Sequence, residues 1–159
     1  MYQDKILVNF ELASKKWDKL LAYGLSYEAI NITLKKCKKL NSELTIRLTD
    51  DKEMLSLNKK WRNKNKTTNV LAFPNNYNLS LDKKLIHIGD IIISYGEVKR
   101  ESINRKISFI DHLVHLIVHG VLHLCGYNHI SDSDEKIMIS YEKLILAKVA
   151  IKDPYIDYN

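Results

Sequence analysis

The chain is poor in the residues that punctuate or cross-link a fold: among its 159 residues are two cysteines, two prolines and five glycines. Cys37 and Cys125 lie far apart, and neither belongs to a C-x-x-C pair, which excludes a cysteine zinc knuckle and a dithiol redox motif. They read as reduced core thiols, in keeping with a cytoplasmic protein. So little proline and glycine leaves no linker, and there is no repeat or low-complexity tract. Residues 1–159 therefore read as a single domain. Long apolar runs are also missing. No stretch approaches the roughly 20 apolar residues of a membrane span. The longest, Leu113 to Leu124, is interrupted by three histidines. The opening stretch carries an early acid and only a short apolar run, unlike a secretory signal.

With 45% hydrophobic and 28% charged residues, the chain has the balance of a soluble globular protein rather than a disordered one. Its net charge of +6 favours a nucleic acid or other acidic partner without establishing one.

Ile6, Val8 and Phe10 alternate as in a strand, and residues 13–40 read as helical with a break near Gly24. Leu44, Ile46 and Leu48 alternate with polar residues in a second, half-buried strand. Asp50, three residues before Glu53, has the look of a capping box opening a helix through Trp61. Val70 to Phe73, stopped by Pro74, and Ile86 to Ile93 predict two more strands around a polar loop over 74–84. Helices are expected near 95–104, from 109 to about 125, and over 132–149. Helices between the first three strands predict parallel crossovers, and the direct link between the last two predicts an antiparallel pair. The expected fold is α+β, close to α/β: a mixed four-stranded sheet with about five helices.

The helix from 109 carries most of the chemistry. Ser108 and Asp111 resemble a capping box. On a wheel of 3.6 residues per turn, Phe109, Leu113, Leu116, Ile117 and Leu124 share one face with Gly120, and Val114, Val118 and Leu122 fill the opposite side. Only the stripe His112, His115, His119, His123 is polar. A helix apolar almost all round is buried almost all round, so the stripe must face a partner, a cleft or a metal.

His119 and His123 are four apart and sit one above the other, a spacing that suits two imidazoles on one ion. A line from His115 to His123 is about 12 Å long and cannot supply three directions of a tetrahedron. The third ligand must come from chain that turns back. Gly126 stands where a helix-ending left-handed glycine would stand, and His129 follows three residues later. We therefore expect one divalent ion, zinc, on His119, His123 and His129. His112 and His115 read as residues that orient the ligands or pack behind them, and Cys125 as packing. Three histidines leave a fourth position open, which suits catalysis, because water held there falls in pKa to about 7. The Glu of H-E-x-x-H peptidases is absent, since Gly120 occupies its place. Glycine there costs about 1 kcal/mol in helix propensity, which close approach of another backbone or of substrate would offset.

His119-Gly-Val-Leu-His-Leu-Cys-Gly-Tyr-Asn-His129 closely resembles the H-G-x-L-H-L-x-G-Y-D-H signature of the YbeY family, bacterial endoribonucleases of ribosomal RNA maturation. The block from Leu57 to Pro74 resembles the family's N-x-x-[YW]-R-x-K-D-x-x-T-[DN]-V-L-S-F-P, and Ile88-Gly-Asp-Ile-Ile-Ile93 its G-D-I-x-I strand. The resemblance runs from about residue 44 to 149. It implies a zinc-dependent hydrolase of single-stranded RNA. It also implies a role in maturing the 3′ end of small-subunit ribosomal RNA and in ribosome quality control. The motif histidines carry over as His119, His123 and His129, and the family's functional arginine as Arg62. Asn128 and Asn65 depart from the family's pattern, each standing where Asp is usual. If an acid at 128 orients a ligand or moves a proton, zinc affinity or turnover should be lower here, and Asn128→Asp should raise activity.

Lys59, Lys60, Arg62, Lys64 and Lys66 crowd one helix end and the loop after it. The lysines read either as a solvated turn or as RNA contacts along the backbone path. Arg62 is expected to point into the zinc cleft, where a guanidinium can meet two phosphate oxygens at once. Two other readings stay open: a metallohydrolase of another substrate such as a peptide, and a ribosome-associated assembly factor whose metal is structural.

Overall fold

A computed structural model describes residues 4–17, 23–75 and 85–156. Four strands, β1 (Ile6–Leu12), β2 (Ser42–Thr49), β3 (Val70–Pro74) and β4 (Ile86–Ser94), form one mixed sheet in the order β1-β2-β4-β3. With them, among the described residues, come five helices: α1 (Tyr23–Lys36), α2 (Asp51–Arg62), α3 (Tyr95–Arg105), α4 (Phe109–Leu124) and α5 (Asp132–Lys148). The α+β arrangement expected from the sequence is the one the chain adopts. Among the described residues no single helix is long and apolar enough to cross a membrane.

The strand alternation divides the sheet into two faces. Leu44, Ile46 and Leu48 of β2 join Ile91 and Ile93 of β4 in the main core, whereas Leu71 and Ile92 turn to the other face and meet Met54 of α2. α4 lies between two cores, as its wheel predicts. Leu113, Leu116, Ile117 and Leu124 pack on the sheet, while Val114, Val118 and Leu122 meet Ala29 of α1 and Met138, Ile145 and Leu146 of α5. Each such buried side chain contributes about 1.5–3 kcal/mol, so apolar contacts on both sides fix the rotation of α4 and aim its histidine stripe.

The glycine at 120 has a physical reason in this packing. A Cβ there would meet three atoms of the Ile91 side chain at 3.0, 3.1 and 3.2 Å. The close neighbour is therefore a strand side chain, not the backbone or substrate expected from the sequence.

Local signals open the helices. The Asp50 carboxylate accepts from the Glu53 backbone N–H at 3.0 Å, and Ser108 Oγ accepts from that of Asp111 at 3.0 Å. Glu53 does not return the bond. Its carboxylate takes the Arg47 guanidinium (Nε at 2.7 Å) and the Thr49 hydroxyl.

Two expectations are corrected. Residues 13–17 are not helical, because the end of β2 holds them. The Ala13 N–H donates to the Leu48 carbonyl and Trp17 Nε1–H to that of Thr49, both at 2.8 Å. Among the described residues the helix expected over 13–40 is α1, with Gly24 inside its first turn; residues 18–22 lie outside the described residues, as do 76–84 of the expected loop. Secondly, the first three strands are not all parallel. β1, β2 and β4 run together, and β3 alone is reversed. Thr49 pairs with Ser94 and Val70 with Ile93, so β3 begins at the sheet end where β2 stopped. α2 and residues 63–69 make an excursion beyond that end instead of crossing back. Asn63, in the left-handed region at φ 54°, closes the helix that begins it. The antiparallel pairing of the last two strands is as expected.

Candidate metal centre

The C-terminal half of α4 and the turn after it build the centre. His119 and His123 sit one turn apart, with ring centroids 4.6 Å apart and their Nε2 atoms 3.0 Å apart. The helix then ends in a Schellman turn. The Gly126 N–H donates to the His123 carbonyl and that of Tyr127 to Leu122, both at 3.0 Å. Gly126 has φ 99°, which other residues seldom adopt, and nothing would crowd a Cβ there, so the need for glycine is conformational. The turn returns the chain so that the His129 ring lies 5.0 Å from that of His123 and 5.7 Å from that of His119. One nitrogen from each of the three lies within 4.8 Å of the others, so the cluster can hold a metal ion.

The chemistry of the donors fits an ion. His123 Nδ1 lies 2.9 Å from the Tyr127 carbonyl and must donate to it. His119 Nδ1 lies 2.5 Å from Oε1 of Glu142, and it too donates. In the neutral rings both Nε2 atoms are then bare lone pairs facing one another at 3.0 Å, a repulsive arrangement that a cation between them relieves. Burial, followed by the neighbouring His119, pushes His123 down to about 4, so at neutral pH its ring is in the form that ligates.

Glu142 is the residue that sequence reasoning missed. It is fully buried on α5, and its carboxylate accepts from His119, from His115 Nε2 at 3.3 Å and from the Tyr155 hydroxyl. Burial alone would raise its pKa, but the bonds from His115 and His119 hold it at about 2. The signal was present: Glu142 lies on the stripe of Met138, Ile145 and Leu146, the buried face of α5, where an acid needs a partner. Asn58 was also passed over. Its side chain donates to the Lys66 carbonyl at 2.7 Å and so ties down the basic loop after α2.

A cleft of about 410 Å³ opens beside the three histidines, and Trp61, Arg62, Asn69 and Phe73 line it with them. Arg62 and the histidine cluster, distant in sequence, thus share one cleft. Lys59, Lys60, Lys64 and Lys66 are exposed and stand outside its lining. His115 stands behind His119, with Glu142 between them. His112 Nε2 lies 2.5 Å from the Glu101 carboxylate, which also takes the Asn69 amide at 3.1 Å. Burial opposes the charge on Glu101, but these bonds keep its carboxyl below the usual range. Asn128, expected to orient a ligand, instead accepts from the Ile130 N–H at 3.1 Å and shapes the turn carrying His129.

The chain is similar to known proteins along most of its length. A family model described as Endoribonuclease YbeY matches residues 7–150. A Bartonella quintana protein named Endoribonuclease YbeY is 39% identical over 97% of this chain and 99% of its own length. One of the same name from Vesicomyosocius okutanii is 44% identical over 77% of this chain and 83% of its own. A Thermotoga maritima protein solved in solution shares the fold, with a TM-score of 0.58 at 22% identity over 95% of this chain and all of that one.

Proposed function

The chain belongs to the YbeY family of endoribonucleases, and from that premise we propose that it is a zinc-dependent endoribonuclease of single-stranded RNA. We assign it to small-subunit ribosomal RNA maturation and ribosome quality control in the cytoplasm, with residues 1–159 acting as one domain. The observation that carries the reading is the convergence of His119, His123 and His129 on a cleft that Arg62 also lines. Three neutral imidazoles without thiolate or carboxylate suit zinc. When bound, such an ion lowers the pKa of a water and polarises a phosphodiester oxygen.

The residues of the chain have separable tasks. His119, His123 and His129 hold the ion, and Glu142 and the Tyr127 carbonyl set which nitrogen two of them present. Arg62 meets the charge that develops on the phosphate oxygens. Lys59, Lys60, Lys64 and Lys66 line the approach of the RNA backbone.

Two other readings fit less well. The H-E-x-x-H peptidases carry an acid beside the first histidine, whereas Gly120 stands there, with the place of a Cβ tight against the Ile91 side chain. A purely structural metal is ordinarily closed off by four protein ligands, whereas this cluster opens on a cleft. The deciding assay offers single-stranded RNA, duplex RNA and a peptide panel to chelator-stripped and zinc-restored protein. Zinc-restored cleavage of the single strand alone is expected; cleavage of peptide, or of nothing, overturns the reading. Arg62→Lys keeps the charge but loses the fork, so it should lower turnover at saturating RNA by about 10–100-fold while changing RNA affinity little. Wild-type turnover would make Arg62 a positioning charge like the lysines.

A further inference from the structure

The two tryptophans of the chain are used in opposite ways. Trp17 is 6% exposed, with its Nε1–H donated to the Thr49 carbonyl. Trp61 is 60% exposed, although it lies on the inward stripe of α2 with Met54 and Asn58. It overhangs the small core of Met54, Leu71 and Ile92, and its ring meets that of Phe73 at 6.1 Å between centroids and 64° between planes. The helix and Phe73 fix the direction of the indole, yet most of it is left uncovered.

Its position gives that exposure a meaning. Trp61 and Phe73 line the cleft of the histidines and Arg62, and they also line a second hollow of about 490 Å³ with Thr45, Arg47, Asp90 and Ile92. The aromatic pair stands between the two. On the helix end around it the charge is positive: Lys59, Lys60, Arg62 and Lys64 are exposed, and Lys60 Nζ lies 4.9 Å from the Trp61 ring centroid. In the second hollow the Arg47 guanidinium is already held by Glu11 and Glu53, while the exposed carboxylate of Asp90 can accept from the amino groups of a base.

Resting on the endoribonuclease reading, we propose that Trp61 and Phe73 form a stacking seat for one unpaired base of the RNA substrate, next to the nucleotide at the metal. The phosphates stay on the side of Arg62 and the lysines, and the base turns over the indole towards Thr45 and Asp90. Bases in a duplex are stacked and paired and cannot enter such a seat, which supplies the preference for single strands. The charge around the indole selects this occupant over an apolar protein surface.

The test uses the full chain stripped of metal with chelator, so that RNA binds without being cut, and a short single-stranded oligoribonucleotide as probe. Trp17 is buried, so quenching of tryptophan fluorescence by the RNA should come from Trp61 and vanish in Trp61→Phe. Trp61→Ala should bind the oligonucleotide about tenfold or more weakly, with Trp61→Phe in between. An abasic nucleotide at one position should weaken binding to the wild-type chain by a similar factor and leave Trp61→Ala unaffected. Unquenched fluorescence, unchanged affinity of Trp61→Ala, or equal abasic sensitivity in the two chains overturns the seat. If Trp61→Ala binds the oligonucleotide normally but loses association with purified small ribosomal subunits, the indole serves a surface of the subunit other than an unpaired base and the seat is overturned. Metal-restored wild-type protein that cuts RNA while Trp61→Ala binds and cuts equally well overturns the seat alone; wild-type protein that cuts no RNA overturns the endoribonuclease reading with it.

Discussion

His112 and His115 share one stripe of α4 with His119 and His123, yet the two pairs turn opposite edges of their rings to their partners. In the first pair carboxylates occupy Nε2, Glu101 on His112 and Glu142 on His115, and each Nδ1 is buried without a partner among the described residues. In the second pair the partners occupy Nδ1, Glu142 on His119 and the Tyr127 carbonyl on His123, and the Nε2 atoms converge. The residue type and the helix are the same. What separates a ligand from a packed histidine is which nitrogen the surroundings leave bare. Only the second pair lies at the helix end, where a returning chain can add a third ring.

The contrast breaks most visibly if one histidine is removed from each pair. His123→Ala takes away one of the three proposed ligands and should weaken zinc by at least about 100-fold, beyond the 10–100-fold usual for a partner behind a ligand, with cleavage falling to background. His112→Gln, which keeps a donor for Glu101, should retain about one zinc per chain. Elemental analysis of both proteins after dialysis is the check. Full zinc in His123→Ala, or its loss from His112→Gln, would erase the distinction between the pairs.

Glu142 sharpens the contrast, since one carboxylate serves a histidine of each pair. Glu142→Gln keeps the shape and an oxygen for His119 but removes the charge that makes the ring a better donor to metal. Zinc affinity should fall about 10–100-fold, as read by competition with a coloured chelator. Unchanged affinity would mean that the carboxylate only packs.

Acid should separate the groups in metal-free protein. His123 sits at about 4, below its ordinary 6.5, so the unfolded chain binds the extra proton first. Its contribution is whole above pH 6.5 and is lost as pH falls from there through 4. Glu142, held at about 2 against an ordinary 4.5, contributes above 4.5 and loses that as pH falls through 2. The melting temperature of chelator-stripped wild-type protein should therefore decline between pH 6.5 and 4. His123→Ala should flatten that upper part and keep the decline below 4.5. An upper part that His123→Ala leaves unchanged would refute the assignment.

How much of this was legible follows from range along the chain. The histidine helix, its two apolar sides and the glycine turn are patterns within a few residues, and periodicity exposed them. Glu142 and Tyr155 reach the stripe from α5 and the residues beyond it, and no local spacing ties them to His119. The reversal of β3 was hidden for a related reason: the length of α2 does not say whether the chain crosses the sheet or returns to the same end. Arg62 was placed in the cleft by family likeness, whereas the overhang of Trp61 became visible only with the core of α2 in view.

The smallest effect is expected where the sequence suggested a larger one. Asn128 stands at a position where Asp is usual in the family's motif, and an acid there had seemed suited to orienting a ligand. Its side-chain oxygen instead accepts from the Ile130 N–H, two residues on, and among the described residues no hydrogen bond joins it to a histidine. Two of the three proposed ligands, His119 and His123, already have partners in Glu142 and the Tyr127 carbonyl. An aspartate oxygen can take the same N–H, and the bond defines the turn with either residue. The added charge lies in a half-exposed loop, where solvent weakens its pull on the ion. Asn128→Asp should therefore change zinc affinity and cleavage rate by less than about threefold, close to the half kilocalorie typical of surface changes. Asn128→Ala, which deletes the acceptor, should cost more, because the turn that delivers His129 loses its hydrogen bond. Parallel measurement of zinc affinity and turnover in both variants decides it. A gain of tenfold in Asn128→Asp would restore a direct role for an acid at this position; Asn128→Ala matching wild type would remove the turn from the argument.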